Sequence, residues 1–149
     1  MMMKMPKNNG CQLVHIGNNL LVKDRHQVAR ALAGGRAQLI DMRPADRFAG
    51  EAPEPRPGVR AGHVPGAINL PYPEFLDPIS GTVLDADRME ARLTAAGIDL
   101  SKPAIAMCGS GVTAGMFALA MYMLGKRDVP VYDGSWADWG SDESLPIER

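Results

Sequence analysis

The stretch Met107-Cys108-Gly109-Ser110-Gly111-Val112-Thr113-Ala114 decides how the chain is read. Ahead of it runs the apolar segment Pro103-Ala104-Ile105-Ala106-Met107, and an apolar, helix-compatible segment follows from Val112 to Leu124. The order is strand, tight loop, helix, with the thiol at the carboxyl end of the strand and facing the helix N-terminus. A short loop there exposes several backbone N–H groups and the positive end of the helix dipole, worth about half an elementary charge. Such a cradle stabilises a thiolate and lowers a cysteine pKa from about 8.5 into the range of roughly 3.5 to 7.5. Cys108 is therefore a candidate nucleophile. A buried structural thiol is the alternative, because free cysteine is among the most buried residue types. The loop alone leaves the two readings open.

Working outward, the same alternation of strand and helix recurs. Asp24 with Gln27 resembles a capping box, Val28, Ala31 and Leu32 share one helical face, and Gly34-Gly35 stops that helix. Residues 37–42 form a short apolar strand that carries Asp41 near its end. Pro44 opens a short helical turn through Phe48, and the prolines of residues 51–58 force an irregular excursion, a loop long enough to suggest function or mobility. Residues 67–70 resume as a strand that Pro71-Tyr72-Pro73 breaks, and Glu74-Phe75-Leu76 can form one turn. Asp85 or Asp87 caps a helix that runs through Leu93 to Ala96 and is closed by Gly97. After the Cys108 unit, residues 130–132 are a last strand and residues 134–139 a turn or short helix. This pattern predicts an α/β fold: one domain with a mostly parallel sheet of about five strands, flanked by helices on both faces. Ligands of such sheets bind beyond the strands' carboxyl ends, where Asp41, the Cys108 loop and Asp133 could meet. Residues 1–19 show no clear period and read as a weakly structured leader or, at residues 12–16, an edge strand; residues 20–149 form the domain.

Composition sets the outer limits. A chain of 149 residues with 46% hydrophobic content suits one domain with a real core. A net charge of −1, with scattered Lys and Arg, provides no footprint for nucleic acid or an anionic membrane. The two cysteines, Cys11 and Cys108, suggest neither a disulfide scaffold nor a metal site, and no cofactor is called for. No apolar run approaches the ~18 residues of a membrane span, so the cytoplasm is the expected compartment. Trp136, Trp139, Met107, Met116, Met121 and Met123 are read as core in preference to a docking surface.

Four segments then carry a family resemblance. Leu39-Ile40-Asp41-Met42-Arg43, Ala61-Gly62-His63-Val64-Pro65-Gly66-Ala67, Cys108-Gly109-Ser110-Gly111-Val112-Thr113-Ala114 and Tyr132-Asp133-Gly134-Ser135-Trp136 follow one another as they do in a rhodanese domain. The likeness runs from about residue 20 to 146 and is nearest to the C-terminal, catalytic domain of the thiosulfate/3-mercaptopyruvate sulfurtransferases.

The resemblance implies transfer of sulfane sulfur through a Cys108 persulfide to a thiol, cyanide or a thioredoxin-like protein. It implies that Gly109, Ser110, Gly111, Val112 and Thr113 form the loop around sulfur; Thr113 can bond the sulfur or cap the helix, and the two roles are compatible. Thiosulfate-preferring relatives carry basic residues just after the cysteine. Gly109 and Ser110 stand there instead, as in the 3-mercaptopyruvate type, in which the loop serine assists proton transfer. Recognition of the substrate carboxylate then falls to Arg47 and Arg56, with Asp41 and Arg43 in support; solvated loop arginines are the competing reading. The two-domain enzymes have a second rhodanese-like half that closes over this site, which a homodimer or the leader would have to replace here. The three histidines are weak substitutes: His15 lies in the leader, His26 on an exposed helix face, and His63 in a turn, where a structural role is expected. Ala114 stands where related phosphatases carry an arginine, which argues against phosphatase chemistry. A persulfide carrier or binding module fed by a partner protein is the rival to an enzyme acting on small molecules.

Overall fold

The computed structural model describes residues 21–149, so the leader, its edge strand at residues 12–16, Cys11 and His15 lie outside the described residues. In chain order the elements are β1 (Val22–Lys23), α1 (Arg25–Ala33), β2 (Gln38–Asp41), α2 (Ala45–Phe48), β3 (Ile68–Asn69), a 3-10 helix (Tyr72–Phe75), α3 (Ala86–Ala95), β4 (Ala104–Met107), α4 (Gly115–Met123), β5 (Val131–Tyr132) and α5 (Ser135–Trp139). The five strands form one sheet in the order β1-β5-β4-β2-β3. Every pairing is parallel.

A parallel sheet buried on both faces needs strands that are apolar on both sides, and the central pair meets that demand. Side chains alternate across β2 and β4. Ile40, Met42, Ala104, Ala106 and Cys108 join the core beneath α3 and α4 with Met89, Leu93, Phe117 and Met121. Leu39, Ile105 and Met107 point the other way, into a second core with Val28 of α1 and Trp136 and Trp139 of α5. The helices thus cover both faces, as expected.

Local signals place the helices where the sequence put them. The Asp24 carboxylate accepts the Gln27 N–H at 2.8 Å while the Gln27 side chain accepts the Asp24 N–H at 2.9 Å, a reciprocal capping box. Asp85, not Asp87, caps α3 by accepting the Arg88 N–H at 2.9 Å. β1 was not foreseen as a strand. It pairs with β5 over only two residues, Val22 with Val131 and Lys23 with Tyr132, too short for a periodic signal.

The proline-rich excursion is pinned at both ends. The Arg60 guanidinium donates to the carbonyls of Trp139, Gly140, Asp142 and Leu145 at 2.6–3.3 Å, closing the C-terminal end of α5. His63 stacks on Phe48, with ring centroids 3.8 Å apart, and its Nδ1 lies 2.7 Å from the Phe48 carbonyl oxygen. The structural role expected of His63 is what these contacts describe. The loop held in this way arches back over the carboxyl ends of β2 and β4.

Candidate active site

Cys108 leaves β4 at the edge of the core, and the loop after it is fixed from behind by the start of α5. The Cys108 N–H donates to Ser135 Oγ at 3.0 Å, and the Ser135 hydroxyl donates to the Tyr132 carbonyl at 2.8 Å. The N–H groups of Trp136 and Ala137 donate to the carbonyls of Cys108 and Gly109, each at 2.9 Å. Ser135 adopts φ +52° and is fully buried. A non-glycine residue in the left-handed region persists only where its surroundings over-determine it, and here both halves of its hydroxyl are committed.

With its carbonyls held from behind, the loop turns its N–H groups toward sulfur. The Gly111 N–H donates to Cys108 Sγ at 3.0 Å. Gly111 sits at φ +92°, and a Cβ there would stand 2.5 Å from the Asp133 carbonyl oxygen, so only glycine lets the loop close this tightly. Burial pushes the Cys108 thiol up, but the Thr113 hydroxyl and the N–H groups of Ala114, Ser110 and Thr113 outweigh it and hold the thiol below its ordinary value. Thr113 does not cap the helix: α4 begins at Gly115 with Ala114 in the cap position and no side-chain cap bond. Thr113→Val is expected to move the pH profile of Cys108 alkylation to more alkaline pH and to slow the reaction at neutral pH. Iodoacetamide kinetics across pH 5–10 would check this, and an unchanged profile would remove Thr113 from the cradle.

Beside the loop runs a chain of alternating charges. Arg43, almost fully buried, donates through Nε and Nη2 to the Asp41 carboxylate at 2.8–3.1 Å, through Nη2 to the Gly62 carbonyl at 2.7 Å and through Nη1 to Glu54 at 2.8 Å. Its guanidinium lies 4.5 Å from the Trp136 ring centre. Burial pushes the Asp41 carboxyl up, and the hydrogen bonds and charge of Arg43 oppose that. Glu54 binds both arginines: its Oε1 also accepts Arg47 Nε at 3.2 Å, and its Oε2 accepts Arg47 Nη2 at 2.6 Å. That second pair aims the Arg47 guanidinium across Gly109, where a Cβ would meet Nη2 at 3.1 Å.

These elements enclose a cavity of about 480 Å³ with Cys108 in its wall. Ser110, Val112 and Thr113 of the loop, Arg47, Glu54 and Arg56 also line it. Arg56 is exposed, and no ion pair holds it among the described residues. Ser110 is exposed, and Val112 is 83% exposed at the rim. The structure therefore brings Cys108, its loop, Arg47 and Arg56 to one cavity. Asp41 and Arg43 lie just beneath: Asp41 is fully buried and not at the rim, and Arg43 reaches the wall only in part. Asp133 backs the loop at Gly111 with its carbonyl and its carboxylate and does not line the cavity.

Glu54 and Ser135 were missed from sequence. Ser135 lies in the Tyr132-Asp133-Gly134-Ser135-Trp136 segment, where nothing local distinguishes its hydroxyl from that of a turn serine. Glu54 had one available signal, an acidic side chain between the two candidate arginines in a loop otherwise read as solvated. Met107, Met121, Trp136 and Trp139 are core, as read, whereas Met123 is partly exposed on α4. Among the described residues no cluster of His, Cys, Asp and Glu could hold a metal ion, and no helix is long and apolar enough to cross a membrane.

A family model described as "Rhodanese-like domain" matches residues 24–142. The chain belongs to the rhodanese-like domain family. This rhodanese-like chain is 44% identical over 128 residues to thiosulfate/3-mercaptopyruvate sulfurtransferase 1, mitochondrial, of Arabidopsis thaliana, covering 86% of this chain and 34% of that protein. It is 46% identical over 112 residues to 3-mercaptopyruvate sulfurtransferase of Escherichia coli (strain K12), covering 75% of this chain and 39% of that one. The crystal structure of the Tum1 protein from Saccharomyces cerevisiae superposes with a TM-score of 0.77 at 32% identity, covering 88% of this chain and 47% of that one. The rhodanese-like chain thus spans between about a third and a half of the length of these relatives.

Proposed function

We propose that this rhodanese-like domain is a sulfurtransferase that takes a sulfur atom from 3-mercaptopyruvate in preference to thiosulfate. It holds that sulfur as a Cys108 persulfide and delivers it to a thiol or to cyanide. The observation that carries this reading is Cys108 Sγ in a cradle of N–H groups, opening on a cavity that also holds Arg47 and Arg56. In the first half-reaction the Cys108 thiolate attacks the donor's sulfur. An S–S bond forms, the C–S bond breaks, and its electron pair leaves as the enolate of pyruvate, which then takes up a proton. In the second half-reaction the acceptor attacks the outer sulfur and the Cys108 thiolate departs.

Charge balance favours the keto acid. Asp41 offsets Arg43, Glu54 offsets Arg47, and Arg56 alone remains, so the group presents one net positive charge. That complements a single carboxylate better than the dianionic thiosulfate. The Gly109-Ser110 pair adds no cation beside the sulfur. A guanidinium binds a carboxylate through two parallel hydrogen bonds, a fit that suits Arg56 and the Arg47 Nη1 that Glu54 leaves unused. Arg47→Ala and Arg56→Ala are each expected to raise KM for 3-mercaptopyruvate roughly ten- to hundredfold with little change in kcat. Unchanged KM in both variants would leave them as solvated arginines.

The experiment that tests the function compares initial rates with 3-mercaptopyruvate and thiosulfate, with cyanide and then dithiothreitol as acceptor. The expected result is faster turnover of 3-mercaptopyruvate. Negligible turnover of both donors, with Cys108 still loaded by a persulfide-bearing protein, would establish the carrier reading instead.

A further inference from the structure

We infer that the Tyr72 phenol binds the oxygen of the departing enolate, making it a catalytic residue for keto-acid donors; this rests on the function proposed above. Three observations support it.

The first is position. Tyr72 opens the 3-10 helix that follows β3, and β3 pairs with β2, which pairs with β4. Tyr72, Met42 and Cys108 therefore all lie beyond the carboxyl ends of three neighbouring strands, and all three line the cavity. All three also belong to the core on the same face of the sheet, Tyr72 packing against its edge. The second is fixation. The Tyr72 N–H donates to the Met42 carbonyl at 3.2 Å, and Phe75, one turn on, is fully buried edge-on to Phe117 with ring centroids 6.4 Å apart. The ring is thus anchored on a rigid support.

The third concerns the hydroxyl itself. Tyr72 lines the cavity together with Cys108, Arg47 and Arg56. Its side chain is partly buried, and its O–H has no hydrogen-bond partner among the described residues. No buried side-chain nitrogen or oxygen there lacks a partner, so the unpartnered Tyr72 oxygen is not sealed inside the protein. Of the other hydroxyls, Ser135 is committed to the backbone and Thr113 to lowering the Cys108 thiol; Ser110 also lines the cavity, from the exposed loop.

The chemistry leaves a task for such a donor. When the thiolate takes the sulfur, the C–S electron pair moves into a C=C bond and the carbonyl π pair moves onto oxygen. A fixed O–H aimed at that oxygen gains strength as the negative charge develops. Tyr72 donates a hydrogen bond and keeps its proton, and the enolate then takes a proton at carbon from water. Thiosulfate makes no such demand, since its leaving group is sulfite.

Tyr72→Phe removes one oxygen and keeps the ring. The expected result is a loss of about ten- to hundredfold in kcat with 3-mercaptopyruvate, and a much smaller loss with thiosulfate. The pH profile of Cys108 alkylation should match the wild type and so report an intact cradle. Equal losses with both donors, or an altered alkylation profile, would make Tyr72 a packing residue and overturn the inference. So would full activity in Tyr72→Phe, or a loss in Ser110→Ala alone. If the wild type turns over thiosulfate but not 3-mercaptopyruvate, the donor assignment above fails along with it. Wild-type turnover of 3-mercaptopyruvate that Tyr72→Phe leaves intact sinks only the role of the phenol.

Discussion

Cys108→Ser is expected to bring sulfur transfer from either donor down to the uncatalysed background, a loss on the order of 10⁴- to 10⁶-fold. The magnitude follows from what the cradle can ionise. Its N–H groups and the Thr113 hydroxyl hold a thiol below its ordinary value, but a serine hydroxyl titrates far too high for the same hydrogen bonds to yield an alkoxide. Cys108 is the only cysteine among the described residues. The fold should survive. The loop is tied to α5 through the Cys108 main chain, by its N–H to Ser135 and its carbonyl to Trp136, and neither bond involves sulfur. Intact-mass spectrometry provides the direct check. Wild type treated with donor alone gains one sulfur atom and loses it to cyanide, while the variant gains none. Turnover near the wild-type rate would dismiss Cys108 as the nucleophile.

Arg43→Met is expected to be the most damaging substitution to stability, at about 3–5 kcal/mol, with a melting temperature lower by roughly 10 °C or more. Methionine fills much of the arginine's volume, so the cost is electrostatic and not a cavity. Asp41 would lose the cation paired with it inside the core, Glu54 would keep Arg47 as its partner among the described residues, and the Gly62 carbonyl would lose the Arg43 donor. The pH dependence has a definite sign. Without Arg43, burial raises the Asp41 carboxyl further above its unfolded value, so the variant's native state binds a proton that the unfolded chain releases. The variant is penalised least at acid pH and loses ground to wild type as pH rises toward 7. Urea titrations at pH 5 and pH 7 measure this; a difference that narrows with rising pH would contradict the account.

The sheet was legible because its central strands carry a strong local signal. Alternation in β2 and β4 sends apolar side chains to both faces, which only a doubly covered sheet accommodates. The two residues of β1 carry no such pattern and stand directly before the Asp24 cap of α1, whereas β3, equally short, lies in the apolar run of residues 67–70. The cradle was legible for the same reason: two glycines beside a cysteine at a strand end state their geometry directly. What remained hidden depends on distant partners. Glu54 reads as one more charge in a proline-rich loop until Arg60 and His63 pin that loop and carry the carboxylate between two arginines. Ser135 reads as part of a turn, and only the packing of α5 against β4 gives its hydroxyl the Cys108 N–H. Thr113 shows the limit from the other side, because a hydroxyl near a helix start also fits the cap position, which Ala114 takes here.

The close pass of Arg47 over Gly109 bears on how such domains diversify. A methyl group at position 109 requires only that the mobile end of Arg47 give way by a few tenths of an ångström. A long cationic side chain there requires Arg47 to abandon Glu54, and it brings two like charges together. Glu54 would then be free to pair with the newcomer. A lineage exchanging one sulfur donor for another at this loop therefore cannot treat position 109 as independent. The substitution becomes tolerable only with a matching change at 47 or 54, so the three positions should vary together across descendants of a common ancestor.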